Sequence, residues 1–224
     1  MIKQILLGIG CFIGLDYGLK VYKIEGRYYF NHLICNSIVV LNTFNSMLLS
    51  YDINNIININ INNNINNLYN AKIIIYSLHI YHVLWYFNKL RKDDWIHHIL
   101  MIGIVLPLTE MVPQNNIISH GLFFTTGLPG LIDYTLLFLQ RNNIINKYFE
   151  KRVNTYLNLW IRAPGCIMNT MMIMMNIITN YNQLTNYQLY SGIIMMSLMY
   201  WNGIYFMGQV LTDYTTFKLI NNKY

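Results

Sequence analysis

Histidine is the residue of this chain best suited to chemistry, and five of its six copies, His79, His82, His97, His98 and His120, fall between positions 79 and 120. Imidazole changes charge close to neutral pH and can serve as base, nucleophile or metal ligand. His79 and His82 are three apart and share one face of a helix. His97 and His98 are adjacent and point about 100° apart, so at most one of them faces a given cavity squarely. His79, His82 and His98 could surround a zinc ion geometrically, but no fourth ligand or activating carboxylate accompanies them, so no metal site is expected. The alternative reading of His79 and His82, as packing histidines, stays open.

The elements that carry these residues follow from composition. Of 224 residues 54% are hydrophobic, 15% aromatic and only 11% charged, where a soluble domain carries about a quarter charged residues. That is too little charge to cover a water-facing surface, which argues against a soluble globular enzyme. High hydrophobicity with a net charge of +6 argues equally against a disordered chain. What remains is an all-α integral membrane protein. A span needs ~20 apolar residues, and windows of this kind lie at roughly 3–20, 32–51, 71–88, 95–112, 117–139, 154–179 and 188–211, seven spans in one domain over 1–224.

The loops between these windows test the count. Lys20, Lys23 and Arg27 follow the first; Lys89, Arg91 and Lys92 follow the third; Arg141, Lys147, Lys151 and Arg152 follow the fifth; Lys218 and Lys223 end the chain. The loop after the second window has no Lys or Arg before Lys72, and those around Pro113–Asn116 and Asn180–Tyr187 have none. Basic and uncharged loops therefore alternate, which places the N-terminus outside the cytosol and the C-terminus inside it. The first window lacks a small-residue cleavage site and carries Asp16, so it is read as retained. The positive charge is topological rather than a nucleic-acid stripe, and no nucleic-acid partner is expected. Cys11, Cys35 and Cys166 each sit in an apolar run without metal spacing and read as packing residues. The segment 52–70, with ten Asn, reads as a low-complexity Asn/Ile loop without a catalytic group.

Ionisable groups at membrane depth are costly and each is a functional candidate. His82 should lie roughly 9 Å from the cytosolic end of the third span. Asp93 or Asp94 can cap the fourth span, Trp95 suits the interface, and His97 and His98 open that helix. In the fifth span Gly127-Leu-Pro129-Gly130 should kink the helix, with Asp133 one turn beyond. Arg162 lies roughly 15 Å into the sixth span, beside a second distortion at Pro164-Gly165, and Asp133 is its nearest acceptor by depth. That pair could equally be purely structural. Asn202 and Gln209 add polarity to the seventh span. The thirteen Met, many of them between Met168 and Met199, read as lipid-facing or core filler. The HxxH and HH pairs suggest di-iron lipid hydroxylases and desaturases, but those require more histidines than the six present.

The segment His79-Ile-Tyr-His82-Val-Leu-Trp85, followed by Asp93-Asp94-Trp95-Ile-His97-His98, resembles the TLC-domain proteins, which include the ceramide synthases. The small-residue and proline stretch at Gly127–Gly130 and the intramembrane Arg162 extend that resemblance over roughly residues 30–215. It implies an endomembrane protein, such as one of the endoplasmic reticulum, with six helices in a ring around a lipid-accepting tunnel and one extra helix. It further implies that His97 and His98 act as nucleophile or general base in N-acyl transfer, with acyl-CoA as co-substrate and no resident cofactor. Asp133 would orient one of them, and His79, His82, Trp95, His120, Arg162 and Asn202 would line the lipid site. The chain departs from the synthases after the histidine pair, which runs on as Ile-Leu-Met, and at Gly130-Leu-Ile-Asp133-Tyr-Thr, which has one Asp where synthases carry a His-Asp and a second Asp. Two functions therefore stay open: lipid binding or lipid homeostasis with membrane lipids as partners, and acyl transfer. A channel or transporter is disfavoured, because no half of the chain repeats.

Overall fold

The computed structural model describes residues 1–57, 65–112 and 115–221, and among them every regular element is a helix. The helices are α1 (Ile2–Val21), α2 (Arg27–Leu49), α3 (Ile53–Ile57), α4 (Ile65–Trp85), α5 (92–111), α6 (115–141), α7 (147–180) and α8 (Asn186–Asn221). All but the five-residue α3 are long rods, one for each of the seven apolar windows. The stretches Ile2–Val21, Arg27–Leu49, Asn116–Arg141 and Lys147–Asn180 are long and apolar enough to cross a membrane. Several rods outrun their windows. α7 begins at Lys147 rather than near 154, with Asn146 accepting the Phe149 N–H as its cap. α8 runs on to Asn221 and is about 54 Å long at ~1.5 Å per residue, more than a bilayer core requires.

Three rods contain a proline, and all three solve the problem in the same way. A π turn precedes it in each: Met101–Val105 before Pro107, Phe123–Gly127 before Pro129 and Asn158–Arg162 before Pro164. The N–H groups of Leu106, Leu128 and Ala163 reach five residues back, to the carbonyls of Met101, Phe123 and Asn158. A proline has no N–H, and its ring presses on the carbonyl four residues earlier; one widened turn relieves that clash. The distortions expected at Pro129 and Pro164 thus take the form of π turns, and Pro107 adds a third.

The polarity of the bundle runs opposite to that of a water-soluble protein. Leu41, Leu48, Trp160, Met171 and Ile178 are exposed, while Asn31, His32, Asn36, Ser46, Ser77, Asn158 and Asn169 are buried. A water-soluble monomer rarely exposes so much contiguous apolar surface. Lipid tails make that arrangement favourable, and internal hydrogen bonds engage buried groups such as the Asn31 amide, Ser77, Asn158 and Asn169. The methionines divide as the two expected roles require: Met168, Met171 and Met174 face outward, whereas Met172, Met195 and Met199 are in the core.

α1 packs on α2 and α4, and α2 packs on both α4 and α6. Beyond these, α4 packs on α5, α5 on α8, α8 on α7 and α7 on α6. Two close approaches hold α6 in this set. Gly130 of α6 lies so near Asn36 of α2 that a Cβ would stand 2.5 Å from its Nδ2, and a Cβ on Gly165 of α7 would meet the Phe124 ring at 2.2 Å. The loops with basic residues gather at one end. There Asn142 donates to the Glu25 carbonyl (3.1 Å), Tyr86 donates to Asp16 (2.5 Å) and Lys151 pairs with Asp213. Gly26, in the left-handed region at φ 72°, turns the chain from α1 to α2 beside Arg141.

At the opposite end the structure corrects the reading of 52–70 as loop throughout. Ile53–Ile57 is helical, and α4 already begins at Ile65 rather than near 71. Asn176 and Asn180 of α7 donate to the Ile56 and Ile57 carbonyls of α3 at 2.7 Å each and tie it to α7. Residues 58–64 of the Asn/Ile segment, 113–114 of the next loop and 222–224, with Lys223, lie outside the described residues.

Candidate functional site

Five histidine rings converge near the end where the basic loops gather. α4 brings His79 and His82, α5 brings His97 and His98, and α2 brings His32. The Nδ1 atoms of His79 and His98 are 2.7 Å apart, so one donates and the other accepts. Ring centroids stand 5.1 Å apart for His79–His97, 5.4 Å for His82–His98 and 4.6 Å for His32–His82. One ring nitrogen from each of His79, His97 and His98 lies within 4.8 Å of the other two. The adjacent pair differs in burial, His98 fully buried and His97 exposed, yet both rings lie against His79, at 5.1 Å for His97 and 5.0 Å for His98.

Tyrosines wall this cluster. Tyr28 stacks on His82 at 4.2 Å and Tyr134 stacks on His32 at 3.9 Å, nearly parallel. Neither tyrosine, nor His32, stood among the residues singled out from the sequence. The signal was present in the four-residue spacing of Tyr28, His32 and Asn36, which puts a polar stripe on an otherwise apolar helix. Several ring nitrogens have no hydrogen-bond partner among the described residues: Nε2 of His32, Nε2 of His98 and both nitrogens of His82. An unpaired buried polar atom costs about 1–3 kcal/mol, so the cluster holds unused bonding capacity.

The pair of histidines is held in place by the start of α5. Asp94 accepts from the Arg91 backbone N–H (3.0 Å) and from its Nε and Nη2 (3.1 and 3.2 Å), which closes the first turn. Partial burial pushes the Asp94 carboxyl up, but the hydrogen bonds and charge of Arg91 outweigh it and hold the group below its ordinary range. Trp95 sits edge-on to Phe87 at 5.0 Å beside this turn. On α1 the buried Asp16 accepts from Arg27 (2.8 Å), Tyr86 and Trp85. These residues, with Tyr17, Lys20 and Lys89, line a cavity of about 150 Å³.

The remaining residues singled out from the sequence make other contacts. Among the described residues no ion pair joins Asp133 to Arg162. Arg162 instead donates to the Thr125 carbonyl (2.7 Å) and Asn158 Oδ1 (3.1 Å) and lies over the Phe206 ring at 4.5 Å. Its charge acts over a longer distance on both Asp133 and His97, and Asp133 Oδ1 is buried without a partner. His120 is elsewhere: its Nε2 meets the Tyr51 hydroxyl at 3.3 Å, toward the end where α3 lies. Asn202 accepts from the Cys166 thiol at 3.8 Å in the contact of α7 with α8.

Comparison with known proteins returned no matching family model, no matching curated protein and no matching solved structure.

Proposed function

We propose that this chain is a seven-span, TLC-like protein of an endomembrane such as the endoplasmic reticulum, and that it binds membrane lipids and adjusts membrane composition. The observation that carries the reading is the convergence of buried histidines from α2, α4 and α5 near the basic-loop end, with His97 left exposed among them. A succession of neighbours that returns to its start, α2–α4–α5–α8–α7–α6–α2, supports a ring of six helices, pinched where α6 also meets α4 and α8, with α1 packed outside on α2 and α4. The gathering of basic loops at one end supports a cytosolic C-terminus and a non-cytosolic N-terminus. Lipid tails would occupy the ring interior, and a polar headgroup would meet His97 and the charge of Arg162.

The test is lipid extraction from protein purified in mild detergent, followed by cross-linking with a photoactivatable lipid. The reading expects about one lipid retained per chain and cross-links to residues of the ring interior. Cross-links confined to the exposed faces of α1, α7 and α8 would contradict it.

A second reading, acyl transfer from acyl-CoA, is favoured by one specific contact. His79 engages Nδ1 of His98 and leaves His98 Nε2 free, the arrangement of a base oriented by a second group. Here His97, His98 and Asp133 would be the catalytic set. CoA release on adding a lipid amine or hydroxyl acceptor, lost in the His97→Ala/His98→Ala double variant, is its expected result. No release, or release that survives the double variant, would overturn it.

A further inference from the structure

We propose that His79, His97 and His98 form a three-histidine site for a divalent transition metal of the zinc class. The inference goes beyond the lipid-binding reading and does not depend on it. It is an alternative to the base role of His98, since an ion would engage both histidines of the pair.

The argument begins with geometry. One ring nitrogen from each histidine lies within 4.8 Å of the others. A zinc–nitrogen bond of about 2.0–2.1 Å places tetrahedral ligands roughly 3.4 Å apart, so modest ring rotations close the set. The Nδ1 atoms of His79 and His98 now share a hydrogen bond at 2.7 Å, so an ion would take the place of that proton as the pair parts by several tenths of an ångström. Three neutral nitrogens fill three positions and leave the fourth open, as in metal sites that take water or substrate. His97 is the exposed ligand, so the open position faces the accessible side.

Rigidity and charge support the same conclusion. His79 is fixed on α4, and the histidine pair lies just beyond the Arg91–Asp94 cap of α5. Ligands held on helices need little reorganisation on binding. The Asp94 carboxylate acts on both His97 and His98 and works against the positive charge of Arg162, which also reaches His97. His82, with both nitrogens unpartnered and its ring 5.4 Å from that of His98, stands behind the site as a neighbour rather than a ligand. The structure thus replaces His82 by His97 in the trio that sequence spacing had offered.

The experiment uses untagged full-length protein in detergent, stripped with a chelator and titrated with Co²⁺, then with Zn²⁺. The expected result is about one Co²⁺ per chain with the intense visible absorption of a tetrahedral site, displaced by Zn²⁺. His97→Ala should abolish that spectrum while helicity and thermal midpoint in chelator stay unchanged, because His97 is exposed. His79→Ala and His98→Ala should weaken binding by more than the roughly 10–100-fold that loss of a supporting residue costs, and His82→Ala by no more than that. Absence of the tetrahedral spectrum, or its persistence in folded His97→Ala, would overturn the proposal. The lipid extraction above is read separately, so failure of one does not imply failure of the other.

Discussion

The guanidinium of Arg162 donates to the carbonyl of Thr125 across 2.7 Å, and Thr125 is the residue four before Pro129. In a regular helix that carbonyl would accept from residue 129, where proline has no hydrogen to give. An arginine on α7 therefore supplies the donor that a proline on α6 lacks, and the two π turns are locked to each other. Replacing Arg162 by Gln should cost about 1 kcal/mol, the lower end for an unpaired carbonyl because this one is only part-buried. Pro129→Ala restores a donor in the same helix, so the cost of Arg162→Gln should shrink in that background. A double-variant cycle on thermal midpoints checks this; equal costs in both backgrounds would show that the contact carries no coupling.

Gly165 offers a steric test of how α6 meets α7. A methyl there would overlap the Phe124 ring at 2.2 Å. Gly165→Ala should destabilise the detergent-solubilised protein by about 1–3 kcal/mol. Phe124→Leu should recover part of that loss, which thermal melts of the double variant would show.

Asp16 is a buried carboxylate with three donors, and only Arg27 among them is charged. Asp16→Asn should cost about 2 kcal/mol, below the 3–5 kcal/mol of a fully buried pair because the Arg27 side chain remains 27% exposed. Tyr86→Phe should cost about 1 kcal/mol, the worth of one hydrogen bond. Chemical denaturation in mixed micelles would rank the two.

The Asp94 cap gives a pH dependence with a definite sign. Its folded pKa lies below the ordinary carboxylate value, so its stabilisation is present above about pH 4 and is lost as pH falls through the lower folded value. Hydrogen-exchange protection in the first turn of α5, taken relative to the intrinsic rate at each pH, should fall over that acid range. In Asp94→Asn the same amides should be less protected above that range and match the wild type below it, without the acid step.

The tether of the Asn-rich segment can be cut selectively. Asn176→Ala with Asn180→Ala removes the donors to Ile56 and Ile57. Protease cleavage within 53–70 should rise several-fold while the stability of the whole bundle falls by about 1–2 kcal/mol or less.

The helices were legible because each apolar window is bounded by charge or Asn, and those boundaries coincide with turns at Val21–Arg27, Trp85–Lys92 and Arg141–Lys147. The unequal burial of His97 and His98 was legible too, since adjacent helix residues point about 100° apart; that both rings meet His79 was not, because it depends on how α4 lies against α5. The role of Arg162 was not. Depth along two helices put it near Asp133, but depth says nothing about rotation, and the carbonyl orphaned by Pro129 proved the nearer acceptor. His32 was missed for a related reason: nothing in the order of the chain says that α2 lies against α4. His120, grouped with the others by sequence proximity, lies toward the other end of the bundle because α6 enters from there.

The central claim, a lipid held inside a ring of helices beside the histidine cluster, is tested most directly by a density map of the protein in a lipid nanodisc. The expected map has one elongated density inside the circuit of α2, α4, α5, α6, α7 and α8, ending within contact distance of His97. An interior filled by side chains up to His97, with lipid density only on the outer faces, would contradict it.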